Sequence, residues 1–317
     1  MKNIEREDLY LLIRHSDIGE EEVEKVLREN SYPDKKAWET FVKLMLITLG
    51  VGFSVSGIIF FFAYNWASLH KFVKIGLTEA VLISTVSCVF FIKNSIVKNI
   101  LLTFASVLVG VLYAVFGQIY QTGANAYDFF LAWTVFITLW VAISNFAPLW
   151  LFYLVLLNIT LILYIQQVAQ DLSEVSILSL LFAMNAIALF FFTGLAKYRL
   201  EISVPKWFLQ IVALAAITYA TLGFCMGLYG RYTIVFPLLI VFILLFYALS
   251  IKQSLATKNL FYLAAIPFSL IVMGSALLIK ISDAEMMFFF VSIFIIGSVT
   301  GVVINLLRYQ KKWSNEQ

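Results

Sequence analysis

A chain of 317 residues that is 62% hydrophobic and 13% charged lies outside the range of soluble domains, which are about 45–50% apolar and about 25% charged. Apolar runs of roughly twenty residues recur along most of its length, so the excess does not fit one water-soluble core and the bilayer must act as solvent. The formal charge of +3 includes no basic cluster interleaved with aromatics, which argues against nucleic acid as a partner.

Residues 1–42 are a different material. They hold eleven of the nineteen carboxylates and seven of the twenty-two basic residues. Leu9, Leu12 and Ile13 share one helical face, and Val23, Val26 and Leu27 another. Asp17 and Glu20 have the spacing of a capping box, and Pro33 suits a first helical position from which a helix continues into the first span. A short N-terminal cytoplasmic helical hairpin is predicted. The apolar run that follows is too long for a signal-peptide core and is expected to stay in the membrane.

Ten apolar runs follow, near 43–65, 74–92, 100–121, 128–145, 147–166, 175–196, 207–228, 232–251, 260–280 and 286–307. The fold class expected is therefore all-α: a polytopic integral membrane protein, a bundle of about ten transmembrane helices over 43–308, with a cytoplasmic tail at 309–317. The fourth and fifth runs are separated only by 145–148 and the seventh and eighth only by 229–231, but merging either pair would give a span of implausible length. With the N-terminus inside, inner loops and the tail carry Lys93, Lys98, Lys197, Arg199, Lys206, Lys252, Lys258, Arg308, Lys311 and Lys312. The outer ends carry Lys71, Lys74, Arg231 and Lys280. Ten against four places both termini in the cytoplasm.

Pro237 and Pro267 fall within the eighth and ninth runs, where kinks are expected. Small-residue pairs at Gly52/Ser56, Gly110/Ala114, Gly223/Gly227 and Gly297/Gly301 permit close helix approach, ordinarily within one chain and alternatively in a homodimer. A likeness relates Tyr120 to Tyr229 and Phe130–Ser144 to Phe236–Ser250, of a kind that apolar sequences also share by chance. Cys88 and Cys225 read as small buried hydrophobes.

Polar residues inside the spans are where chemistry would sit, because an intramembrane charge is costly unless it is used or paired. Glu79, about five residues into the second run, is the one carboxylate after residue 42 placed inside a span rather than at a loop, helix end or tail. On a regular helix it is turned about 140° from Lys74, so its partner must come from another helix or from water. Asn65, Gln118 and Gln121 are the donors expected near it, with Lys74 as an anion or headgroup contact. Asp128 is expected either to cap the fourth span or to join the site. Tyr64, Trp66, Tyr120, Tyr127 and Trp133 read as an interfacial aromatic belt, or alternatively as a cage for a substrate.

No HExxH, GxSxG or GxxxxGK[ST] pattern occurs, and the two histidines, His15 and His70, lie outside the spans. No catalytic residue, metal site or cofactor is therefore expected.

Phe61-Phe-Ala-Tyr-Asn-Trp66, followed by Lys74 and by Gly117-Gln-Ile-Tyr-Gln-Thr-Gly-Ala-Asn-Ala-Tyr-Asp128, resembles the signature of an uncharacterised bacterial family. Its members are known only as predicted membrane proteins with a domain of unknown function. The resemblance spans roughly the first half and implies a bacterial inner membrane, with no activity to carry over. One departure is Thr138-Leu-Trp140 in place of a Leu-Pro-Trp, which implies a straighter fourth helix. Two functions remain open. One is a transporter or lipid-handling protein with a polar site near the outer face. The other is a non-catalytic scaffold or partner subunit of a membrane complex, with Glu79 met by another protein's helix.

Overall fold

The computed structural model describes residues 35–65, 69–120, 123, 125–198, 204–230, 234–281 and 286–315. Within them lie ten helices: α1 (Lys35–Asn65), α2 (Lys71–Phe91), α3 (Ser95–Tyr120), α4 (Ala126–Ile143), α5 (Ala147–Gln167), α6 (Glu174–Tyr198), α7 (Lys206–Tyr229), α8 (Val235–Ala256), α9 (Leu260–Ile281) and α10 (Met286–Asn315). Each is long and apolar enough to cross a membrane. The protein is all-helical, and every expected run has its helix. The N-terminal hairpin expected at 1–42 lies almost wholly outside the described residues.

Local chemistry sets the boundaries. The doubtful break between the fourth and fifth spans is real: Pro148 sits in the first turn of α5, where a missing N–H costs nothing. The Trp150 indole donates to the carbonyls of Val141 (3.2 Å) and Ser144 (3.1 Å), meeting acceptors that the end of α4 leaves without helical donors. Pro237 does not kink α8, contrary to expectation. That helix starts at Val235, so the proline occupies its first turn. Pro267 lies inside α9. α4 carries no proline and runs unbroken, Thr138 bonding back to the Thr134 carbonyl.

Antiparallel neighbours α2–α3, α4–α5, α6–α7 and α9–α10 form the most extensive pairs. α1 packs on α3 and α10 on α9, at the margins of the bundle. Leu108, Ile137, Leu149, Phe208, Leu239 and Ile266 lie fully enclosed between the inner helices. Cys88, expected to be buried, is exposed among the described residues, while Cys225 is half-buried.

Most helix pairs of the first half recur in the second, shifted by four helices, although α6 and α8 pack more extensively than α2 and α4. The pairs α2–α3, α3–α4, α4–α5 and α3–α5 recur as α6–α7, α7–α8, α8–α9 and α7–α9. The pairs α1–α3 and α5–α6 likewise recur as α5–α7 and α9–α10. A shift by an even number keeps each helix and its counterpart running in the same direction across the membrane. The likeness of Phe130–Ser144 to Phe236–Ser250 now has a physical content. Ile137, Val141 and Ser144 are buried as Ile243, Tyr247 and Ser250 are; Val135, Phe136 and Leu139 face out as Val241, Phe242 and Leu245 do. A side chain placed at Gly110 would strike the Trp133 indole, and one at Gly223 would come within 2.9 Å of Leu239, the residue equivalent to Trp133. Glycine at both places lets the paired helices close. By contrast Gly52, Gly297 and Gly301 have no atom of the described residues near where a Cβ would stand.

Candidate functional site

α2 begins three residues before its apolar run, because His70 caps it: the imidazole Nδ1 accepts from the Phe72 N–H at 3.4 Å. Glu79 thus stands eight residues from the helix start, about 12 Å along its axis. Lys74, Thr78, Leu82 and Thr85 form the buried stripe of α2 against α3, Lys74 being 8% exposed. Thr78 and Thr85 return their hydroxyl protons to the carbonyls of Lys74 and Val81. Lys74 is not a free cation. Glu79 points the other way, onto an exposed face that it shares with Phe72, Ile83 and Phe90. Among the described residues it has no hydrogen bond or ion pair. Lys74 and Glu79 therefore diverge, one into the bundle and one out of it.

Gln118 is exposed near the end of α3. Through the short turn at 92–94, α3 runs back along α2, which sets Glu79 level with the region of Val107 and leaves Gln118 about 16 Å further along the axis. The structure does not bring the two together. Asn65 ends α1 with its side chain outside the described part, and Gln121 and Trp66 also lie outside it.

Asp128 is a helix-capping residue. Its carboxylate accepts the Asn125 N–H at 3.1 Å, closing the first turn of α4. Beside it the Tyr127 N–H, another orphan donor of that turn, is met by the Gln167 side-chain carbonyl at 3.0 Å, and the Tyr127 ring lies edge-on to Tyr164. Gln167 thereby ties the start of α4 to the end of α5, a role its position at the end of a run did not advertise. Tyr64 and Tyr120 are exposed near helix ends, as interfacial rings are. Trp133 is placed differently: about 10 Å into α4 it wedges against α3, its indole N–H donating to the Ser106 carbonyl at 2.7 Å.

Two buried polar groups have no counterpart among the sequence-based expectations. Asn158 on α5 and Asn185 on α6 join their side-chain amides, each about 16 Å from the start of its helix and so near the middle of about 30 Å of hydrocarbon. In the second half the Tyr247 hydroxyl lies 2.6 Å from Ser269, and Ser269 lies 2.6 Å from Thr221. Thr221 donates to the Ile217 carbonyl, so the protons run in one direction, from Tyr247 to Ser269 to Thr221 to backbone. The visible signal is the pair of asparagines centred in otherwise apolar runs. Among the described residues no three His, Cys, Asp or Glu gather in a metal-binding arrangement.

Residues 14–150 match a family described as "Predicted membrane protein (DUF2157)". That segment ends just inside α5 and takes in α1 to α4, with the Glu79 face and the capped turn at Asp128. No curated protein and no solved structure matches the chain.

Proposed function

We propose that this multi-pass membrane protein is a non-catalytic subunit or scaffold of a membrane complex, joined to its partner through the outward face of α2. The observation that carries this reading is Glu79. It stands about 12 Å along a transmembrane helix, on an apolar outer face, with no partner among the described residues. A carboxylate left there against lipid is costly, and the cost is relieved by a neighbouring helix that brings a lysine, an arginine or an amide to the same depth. The open glycine positions of α1 add a surface on which another helix can lie close.

A second reading, transport, draws support from one observation. The Asn158–Asn185 pair lies at mid-depth where α5 meets α6, the junction between the two similarly packed helix sets, and transporters built from repeats commonly bind substrate at such a junction. In either reading the end of the bundle bearing Lys35, Lys43, Lys93, Lys98, Lys206, Lys252, Lys258, Arg308, Lys311 and Lys312 faces the cytoplasm. The opposite end has Lys71, Lys74 and Lys280 among the described residues. The membrane is a bacterial inner membrane.

The test places a photo-crosslinking amino acid at position 79 or 83 of the full chain in native membranes. In parallel, a single cysteine at 79, in a background lacking Cys88 and Cys225, is probed with an impermeant thiol reagent. A discrete polypeptide adduct with no thiol labelling supports the subunit reading. Thiol labelling without a polypeptide adduct overturns it in favour of a water-filled site.

A further inference from the structure

We propose that the seam between α2 and α4, floored by α3, receives a single transmembrane helix of the partner, an assignment that rests on the subunit reading above. The seam is open in one helix set and closed in the other. In the second set α6 and α8 meet directly: the Phe246 ring of α8 lies edge-on to Phe182 at 5.4 Å and to Phe190 at 5.9 Å. In the first set α2 and α4 both pack on α3 but form no extensive contact with each other. Thr78, Leu82 and Thr85 are buried on α2 as Phe182, Ala186 and Leu189 are on α6, and Ile83 is exposed as Ile187 is. The match sets Thr78 where the second set has Phe182, Val86 where it has Phe190, and Glu79 where it has Ala183. Opposite them, Trp140 stands where α8 has Phe246. Two of the rings that close the second seam are thus replaced by a threonine and a valine, and a small exposed residue beside them by a carboxylate. The counterpart of α1, which is α5, meets α6 at Asn185, about 140° around the helix from Phe190, so the match leaves α1 on the other edge of α2.

The walls of the seam carry polar groups that no described residue meets. From α3 onto α4 the rings of Tyr113, Phe136 and Trp140 form an edge-to-face ladder, with centroids 6.4 and 5.7 Å apart. Trp140 is half-buried, yet its indole N–H has no acceptor among the described residues, and neither does the Tyr113 hydroxyl. Trp133 and Trp150, which also lie inside the bundle, each donate to main-chain carbonyls at 2.7–3.2 Å. Trp133 reaches the Ser106 carbonyl in the middle of α3, so in this protein a carbonyl within a span does take an indole donor. The antiparallel register of α2, α3 and α4 puts Trp140 within about one turn of the level of Glu79. Two donors and one carboxylate therefore border one apolar seam. A transmembrane helix answers all of them: main-chain carbonyls for Trp140 and Tyr113, a lysine, arginine or amide side chain for Glu79, and apolar surface for Phe136 and Val86. A lipid chain supplies the apolar surface alone.

Photo-crosslinking amino acids are placed singly at Ile83, at Phe136 and Ile143 on the α4 wall, and at Leu77 on the α1 edge of α2, each in the full chain in native membranes. Polypeptide adducts of one size from 83, 136 and 143, with none from 77, are expected. An adduct from 83 without one from 136 or 143 overturns the seam and leaves the subunit reading standing. No polypeptide adduct at any of the four positions overturns both. Val86→Phe restores a ring of the kind that closes the second seam, and is expected to lower the adduct at 136 by roughly tenfold or more, since overfilling a fitted contact costs that much. Trp140→Phe keeps the ring and removes the donor. It is expected to lower the co-purified partner about threefold, the order of one hydrogen bond between transmembrane helices, with the melting temperature of the isolated chain unchanged. Full retention of the partner in both variants overturns the proposal.

Discussion

Asn158 and Asn185 join their side-chain amides to each other near the centre of the membrane. The Asn158 amide donates to Asn185 Oδ1 at 3.3 Å and to the Leu154 carbonyl at 2.7 Å. The Asn185 amide donates to Asn158 Oδ1 at 2.8 Å and to the Leu181 carbonyl at 2.8 Å. All four N–H bonds have acceptors, and each side-chain carbonyl has a donor. The pair fixes α5 against α6 in a region where apolar packing alone would tolerate rotation.

Asn158→Leu or Asn185→Leu alone leaves one amide half-paired in hydrocarbon and is expected to destabilise the protein by about 1–2 kcal/mol. Replacing both with leucine is expected to cost less than the sum of the two. Unfolding in detergent–denaturant mixtures across the double-mutant cycle reads this, and strictly additive losses would show that the residues do not act as a pair.

Gly110→Ala is expected to cost about 1–3 kcal/mol, because the new methyl meets the Trp133 indole, itself tied to the Ser106 carbonyl. Gly117→Ala, on the same helix with no described residue near its Cβ position, is expected to be neutral or to stabilise by about 0.5–1 kcal/mol through helix propensity. Thermal unfolding of the two variants side by side distinguishes close packing from general intolerance.

Trp150→Phe keeps an aromatic ring against Phe192 and Phe208 but removes the donor that serves the last turn of α4. A loss of about 1–2 kcal/mol is expected, with faster hydrogen exchange or protease cleavage confined to 141–146. An effect spread evenly over α5 to α7 would assign the residue to packing instead.

Glu79→Leu is expected to leave the melting temperature of the isolated protein unchanged or raised, since the carboxylate has no partner among the described residues and an apolar side chain suits that face better. The same variant is expected to lose its partner on purification from native membranes. A fall in the melting temperature of the isolated chain would mean that Glu79 is satisfied within it.

Single cysteines at Gly123 and Asp171 are expected to label from outside intact spheroplasts, and those at Lys93 and Lys258 only after lysis. The reverse pattern would invert the orientation inferred from the lysines and arginines.

How much of this was legible beforehand depends on how local the physics is. The ten spans were readable, even at the breaks near 145–148 and 229–231, because a transmembrane helix satisfies its own backbone and announces itself by length and hydropathy alone. The 140° between Lys74 and Glu79 was likewise readable, being a property of one helix. Which of the two would face the protein was not, since that depends on α3 packing on the Thr78 side of α2. The grouping of Glu79 with Gln118 rested on both lying toward one membrane face, and the antiparallel register of α2 and α3 separates them.

The sequence by itself determined an all-helical chain of ten membrane spans, with positive charge gathered at one end, because hydropathy and charge act residue by residue. It also held the likeness between α4 and α8, without the means to tell descent or design from chance. Only the tertiary structure decided that the likeness is a repeated packing scheme, that Trp133 is a wedge rather than a belt residue, and that two asparagines on neighbouring helices meet at mid-membrane. The reason is physical: in lipid there is no water to drive helices together, so partners are chosen by close fit and by hydrogen bonds between residues distant in the chain.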